Sequence, residues 1–405
     1  MNKKLIALAV AGLFAAPAVA FAQSTTNVTI YGVMKMSVDQ LSATGAGPDF
    51  APGTTAIEQP NRGSVSNHSS RLGFKGSEDL GDGLSAVWQW ELAVASDVSA
   101  APTSRNTMVG LASKSMGTVL IGIWDTPYKT STGAYDIFVD TVADYNAIFG
   151  TPGFNAATGA SLAASASFDR RVNNVVAYVS PDFNGVVGKI GYVFGENPNA
   201  TPIAPGGVDH QAKAVSLSAN YDSGPVSLAF GYEKQTNLNG FGINTTAASD
   251  TDSGTGLKLG GSYSFGDTKV AMVWENLKAD SNGVAAVITS AKRTAWMLNV
   301  AHKMGSNTLK ASYSKANKWT LSCSALVLPA VCAAGIDGGA TQLSLGLDHA
   351  LSKRTKVYGV YTKIDNKFDA AAGSNRYTFA SGSGVGLGTF GADPKAISAG
   401  IEHSF

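Results

Sequence analysis

Apolar and polar residues alternate with a period of two along most of the chain. In NVTIYGVMKMSVD, Val28, Ile30, Gly32, Met34, Met36 and Val38 share one side, opposite Asn27, Thr29, Tyr31, Val33, Lys35, Ser37 and Asp39. In LSAVWQWEL, Leu84, Ala86, Trp88, Trp90 and Leu92 oppose Ser85, Gln89 and Glu91, and the pattern recurs from Val226 to Tyr232 and from Leu257 to Phe265. Successive side chains of an extended strand point to opposite faces, so this pattern predicts strands with one apolar and one polar face. A soluble sandwich has the same period, and alternation alone leaves sandwich and membrane barrel both open.

The connections decide between them. Tight turns fall at Gly81-Asp82-Gly83, Met116-Gly117, Pro181 to Gly185, Asp222-Ser223-Gly224, Gly266-Asp267, Gly305-Ser306-Asn307 and Ser352-Lys353-Arg354. Longer polar stretches lie at about 41–68, 97–103, 125–168, 197–210, 237–253, 280–291, 320–339 and 366–392. Seven short turns and eight long loops make fifteen connections and hence sixteen strands. An even number, with short turns at one end and long loops at the other, is the pattern of a bacterial outer-membrane barrel. The ending fits it. ISAGIEHSF (397–405) is a strand that stops on an aromatic residue in register. An open sheet edge has no hydrogen-bond partner in lipid, so the last strand, Lys395 to Phe405, is expected to pair with the first, Asn27 to Asp39.

The amino terminus adds the route. Lys3 and Lys4, an apolar run from Leu5 to Ala16, and Ala20-Phe21-Ala22 form a secretory signal with cleavage expected after Ala22. Residues 1–22 are thus read as signal peptide and 23–405 as a barrel located in a Gram-negative outer membrane. With Lys3 and Lys4 removed, 28 cationic side chains face 29 acidic ones. That near-balance gives no basic footprint for nucleic acid. Beyond the signal no apolar run reaches 18 residues, so helical spans are excluded.

Several segments resemble the trimeric general porins of Gram-negative outer membranes, most closely the β-proteobacterial group. They are NVTIYGVMKMSVD, SSRLGFKGSEDLGDGLSAVWQWE (69–91), RNTMVGLASKSMGTVLIG (105–122), NNVVAYVSPDFNGVVGKIGY (173–192), LSKRTKVYGVYTKIDN (351–366) and terminal Phe405. The resemblance implies an all-β, 16-stranded antiparallel transmembrane β-barrel around a water-filled channel for passive diffusion. It also implies a homotrimer, a third extracellular loop folded inward as a constriction, and recognition of Phe405 by the barrel-assembly machinery. One departure stands out: after GTVLIG, where the family often carries an Arg, this chain has Ile123-Trp124.

The candidate site lies at that loop, 125–168, the longest connection and the richest in acids and aromatics. Its central part is expected to bury Ile137, Phe138 and Val139 against the wall and to point Asp136, Asp140 and Asp144 at water. The pleat places Arg71 and Lys75 on one face, with Leu72 and Phe74 facing lipid, and sets Arg171 apart from Val172 and Val176. Arg105 opens the fourth strand. A charge on the lipid face would cost about 2–4 kcal/mol at mid-bilayer, so these four cations are assigned to the lumen, opposite the acidic loop. Four cations against three acids leave one excess positive charge, which predicts a weak to moderate anion preference. Cys323 and Cys332, in one external loop, are expected to form a disulfide worth about 2–3 kcal/mol in an oxidising compartment.

No catalysis, cofactor or metal is implied. His68, His210, His302, His349 and His403 lack metal-ligand spacing, there is no G-x-S-x-G elbow, and the glycines of 381–391 precede no helix. The expected partners are outer-membrane lipid and lipopolysaccharide, further copies of the chain, small hydrophilic solutes and inorganic ions. Two other readings, a substrate-specific channel and a barrel adhesin or structural anchor, share the same fold, and a barrel enzyme is the least favoured.

Overall fold

The computed structural model describes residues 26–45, 59–150, 168–195, 213–236, 253–280, 288–323, 338–367, 377–382 and 392–405. The signal segment 1–22, and Cys332 with its expected bridge to Cys323, lie outside the described residues. Eighteen strand segments form one antiparallel sheet, and two of its staves are each interrupted once, so sixteen staves close the barrel.

In chain order the staves are β1 (Thr26–Thr44), β2 (Gln59–Asn67 and Arg71–Gly81), β3 (Leu84–Ala93), β4 (Thr103–Ser113), β5 (Gly117–Asp125), β6 (Arg171–Val179), β7 (Val186–Val193) and β8 (Lys213–Ser223). They continue with β9 (Val226–Thr236), β10 (Ser253–Phe265), β11 (Thr268–Asp280), β12 (Ile288–Met304), β13 (Asn307–Ala316 and Thr320–Cys323), β14 (Ala340–Ala350), β15 (Thr355–Asn366) and β16 (Asp393–Ser404). All seven expected turns join neighbouring staves.

Closure occurs where the chain ends. β1 pairs with β16 from Val33↔Ser404 to Thr44↔Asp393. Beyond that register, Gly32 N–H donates to the Phe405 carbonyl at 3.0 Å and Phe405 N–H donates back to Gly32 at 3.1 Å. β1 also pairs with both segments of β2, so the edge is eliminated.

The barrel is inside out relative to a soluble sheet. Val28, Ile30 and Val38 are 59–65% exposed on the outer face of β1, whereas Lys35, Ser37 and Asp39 on its inner face are at most 4% exposed. Leu228 and Leu259 face outward in the same way, while Glu233 and Lys258 are buried inside. Phe183, Tyr263, Phe265 and Phe405 stand exposed near the short-turn end, as an interfacial aromatic girdle requires. What packs against the inner wall is the segment between β5 and β6.

Candidate functional site: the inward loop and the lumen wall

That segment begins as a helix, α1 (Pro127–Thr132), capped by the Thr126 hydroxyl, which accepts from Lys129 N–H. Proline at the start of the first turn lacks an N–H that the helix would leave unpaired anyway. Single turns follow at Gly133–Tyr135 and Tyr145–Ala147. The chain crosses the lumen and docks on β8 to β14. Tyr128 N–H donates to Ser216 Oγ (2.9 Å), Asn299 donates to the Tyr135 carbonyl (2.7 Å), and Arg293 donates to the Ile148 carbonyl (3.0 Å). Tyr128, Tyr135, Phe138, Val142, Ile148 and Phe149 are at most 1% exposed. Glycines on the wall make room for two of these rings. A Cβ at Gly260 would lie 2.5 Å from the Tyr135 ring, and one at Gly346 would lie 2.5 Å from Phe138.

Beneath the loop's second half lies a buried charge cluster that parity in single strands does not reveal. Lys258 contacts Asp169, with Glu275 at 3.9 Å, and Arg293 bonds Glu275 at 2.8 Å; all four side chains are inaccessible. Two cations against two carboxylates leave the cluster neutral. Lys258 also lies over the rings of Tyr128 (4.7 Å) and Tyr145 (5.2 Å), and Tyr128 donates to Glu275 at 3.0 Å. These contacts anchor the loop to the far wall and leave the arc from β2 to β6 as the open side of the lumen.

The four expected wall cations reach the lumen by different routes. Arg71 Nη1 meets Asp140 Oδ2 at 3.3 Å, joining wall to loop as expected. Lys75 shares its face and lies 5.3 Å from the centre of the Tyr31 ring, while Phe74 packs against outward Trp90 at 6.1 Å. Arg105 and Arg171 do not meet loop acids. Arg105 Nε donates to Glu91 at 2.6 Å, and Arg171 donates to Asn106 at 2.7 Å and to Asp125 at 3.1 Å. Lys129, on the first turn of α1, shares Asp125 at 2.9 Å. Glu91, Asp125 and Lys129 were not among the sequence candidates. The parity of Glu91 with Gln89, opposite Trp88 and Trp90, would have identified the first of them.

Two loop acids behave differently from expectation. Asp136 and Asp144 do not point at water; they are 8% and 7% exposed and fold the loop. Asp136 accepts from Phe138 N–H (2.7 Å) and Tyr145 N–H (3.2 Å), and Asp144 accepts from Asp140 N–H (2.9 Å) and Asn146 N–H (2.8 Å). Burial, reinforced by neighbouring Asp140, pushes the Asp144 carboxyl up to about 6. Burial and the adjacent Asp144 push Asp136 well above the usual carboxylate range. Val139 also departs from expectation: it is 52% exposed, while Phe138 is buried at 1%. Trp124, where the family often has an Arg, is buried against Leu120, Met108 and Val172.

A closed sixteen-stave barrel, polar inside and apolar outside, with a loop docked across its lumen, is a membrane channel. A family model of Gram-negative porins matches residues 7–369, and the chain belongs to that family. It is 29% identical to outer membrane porin protein 32 of Delftia acidovorans, over the full length of both chains. It is 26% identical to an outer membrane porin protein of Bordetella pertussis, covering 90% of this chain and 94% of the relative. The solved structure of an anion-selective porin from Comamonas acidovorans superposes with a TM-score of 0.69 at 24% identity, covering 94% of this chain and all of that one. The protein is an outer-membrane porin for passive diffusion of small hydrophilic solutes.

Proposed function

We propose that the arc of wall from β2 to β6 and the facing edge of the loop form the narrowest passage, and that this passage prefers anions. The supporting observation is its charge inventory. Arg71, Lys75, Arg105, Lys129 and Arg171 face Glu91, Asp125 and Asp140, five cations against three carboxylates, for a net of +2. Asp136 and Asp144, spent on loop backbone, drop out of the count. The anion-selective porin named above shares the fold, in keeping with this reading. Fixed charge close to the path of an ion attracts counter-ions and repels co-ions.

The functional unit in this reading is a homotrimer in a lipopolysaccharide-bearing membrane, inserted by the barrel-assembly machinery through its terminal Phe405 strand. Reversal potentials in a KCl gradient across a planar bilayer test the selectivity. Anion preference that weakens as salt rises is the expected result, and cation preference overturns it. Conductance steps in threes test the trimer.

A further inference from the structure

The wall is cationic, but the loop edge facing it is largely apolar. From the start of its second turn the edge presents Gly133 and Ala134, both exposed, then half-buried Ile137 and exposed Val139, before its first lumen-facing acid, Asp140. The carboxylates that would make this edge hydrophilic are turned inward, Asp136 onto Phe138 and Tyr145 and Asp144 onto Asp140 and Asn146. Val139 is fixed in place by both of its neighbours. Its carbonyl accepts from Lys35 Nζ at 2.8 Å, and the next residue, Asp140, meets Arg71 at 3.3 Å. Lys35 and Arg71 point into the barrel, so the open space beside the Val139 side chain is lumen.

Arg71 makes both of its hydrogen bonds among the described residues, to Ser69 and Asp140, through Nη1. Arg105 reaches Glu91 through Nε, which turns the terminal nitrogens of its planar fork away from that bond. A planar fork of this kind matches a carboxylate, and an apolar body attached to that carboxylate would lie towards Val139 and Ile137.

We infer that the passage contains a binding subsite for amphipathic organic monoanions, with the carboxylate on Arg71 and Arg105 and the apolar body on Val139 and Ile137. This subsite rests on the proposed anion-preferring passage and adds a substrate class to it. Two probes of equal charge and shape isolate the apolar half. Benzoate and its pyridine analogue, pyridine-3-carboxylate, are both monoanions at neutral pH and differ in ring polarity.

The chloride current through single trimers is titrated with each probe. In the native protein benzoate should block at roughly one third of the concentration needed for the pyridine analogue, the effect expected when a few tens of Å² of apolar surface leave water. Val139→Ser should bring the two concentrations together, and Val139→Leu should preserve the gap. The Lys35 bond to residue 139 uses its backbone carbonyl, so both variants keep it. Equal block by the two probes in the native protein, or an undiminished gap in Val139→Ser, overturns the subsite. The KCl reversal potential of the same channels reports separately on anion preference. Its failure would sink the selectivity reading, and the block ratio would still judge the apolar edge.

Discussion

Arg71 and Asp140 allow a charge cycle that reads selectivity without disturbing the fold. Arg71→Gln takes the lining from +2 to +1, Asp140→Asn takes it to +3, and the double change restores +2. The pair joins two side chains that are each 26% exposed. Such partly solvated pairs contribute about 0.2–1 kcal/mol, so the barrel should survive each change. In water, one unit charge about 8 Å from a passing ion alters its energy by about 0.5 kcal/mol. Screening reduces that to about 0.2 kcal/mol at about 0.15 M salt and to about 0.4 kcal/mol at about 0.01 M. Cation and anion shift in opposite directions, so each single change should alter the anion-to-cation permeability ratio about twofold at the higher salt and about fourfold at the lower. Reversal potentials in two KCl gradients give these ratios directly. Arg71→Gln should move them towards cations, Asp140→Asn towards anions, and the double variant should match the native channel. A native-like ratio for both single variants at low salt would show that neither residue borders the ion path.

Three further outcomes follow from the geometry. Gly32→Val places a Cβ against the Phe405 ring and 2.6 Å from the Arg71 carbonyl, at the pair of hydrogen bonds that close the barrel. Overpacking costs about 1–3 kcal/mol before any loss of those bonds, so outer-membrane levels and heat-modifiable mobility should collapse, as they should on deletion of Phe405; normal levels of both variants would refute closure at this seam. Lys258→Met leaves Asp169 and Glu275 buried with one cation fewer, at a cost of roughly 3–5 kcal/mol. The barrel should still form, but with noisy open-channel current, and a quiet native-like trace would mean the cluster does not anchor the loop. Asp144 titrates near 6 in the folded loop, above an ordinary value of 3.8, so its charged form costs on the order of 3 kcal/mol at neutral pH, and that cost is relieved as pH falls through 6 towards 3.8. Current noise should therefore fall between pH 7 and pH 5 in the native channel and show no such change in Asp144→Asn.

Most of the barrel was legible because lipid enforces alternation wherever it touches the wall. The turns, the stave count and the pairing of β1 with β16 all followed from that one constraint and from the need to eliminate the edge. The misses fall beyond the bilayer. Gln59–Asn67 was read within a polar loop from 41 to 68, yet it pairs with β1 from Met36↔Asn67 to Ala43↔Gln59. Its sequence, QPNRGSVSN, has almost no apolar alternation. A stave that rises above the membrane into water needs none, so the period-two signal disappears while the hydrogen-bond ladder continues. Thr320–Cys323, read as the start of a loop, pairs with β12 for the same reason.

The charges divide along a different line. Parity located Arg71 and Lys75 because β2 is regular from Arg71 to Asp79. Irregular register governs the other two. Between the pairs Trp90↔Thr107 and Leu92↔Ser104 the ladder skips a residue, and Arg105 and Asn106 both reach lumen partners, Glu91 and Asp125. Between Gly122↔Val175 and Trp124↔Val172 it skips again, at Asn174 with φ of 54°, and this sets Arg171 beside Asp125. A bulge re-aims side chains in a way no strict period anticipates. In the loop there is no pleat, and short carboxylates follow local rules instead. An aspartate readily accepts the N–H two residues ahead, and Asp136 takes that of Phe138 while Asp144 takes that of Asn146. Both acids thereby leave the lumen, and Asp140 remains to meet Arg71. Counting acids in the loop therefore overstated its negative charge, and the positive excess of the passage grows from the single charge read in the sequence to the two that the charge cycle is designed to measure.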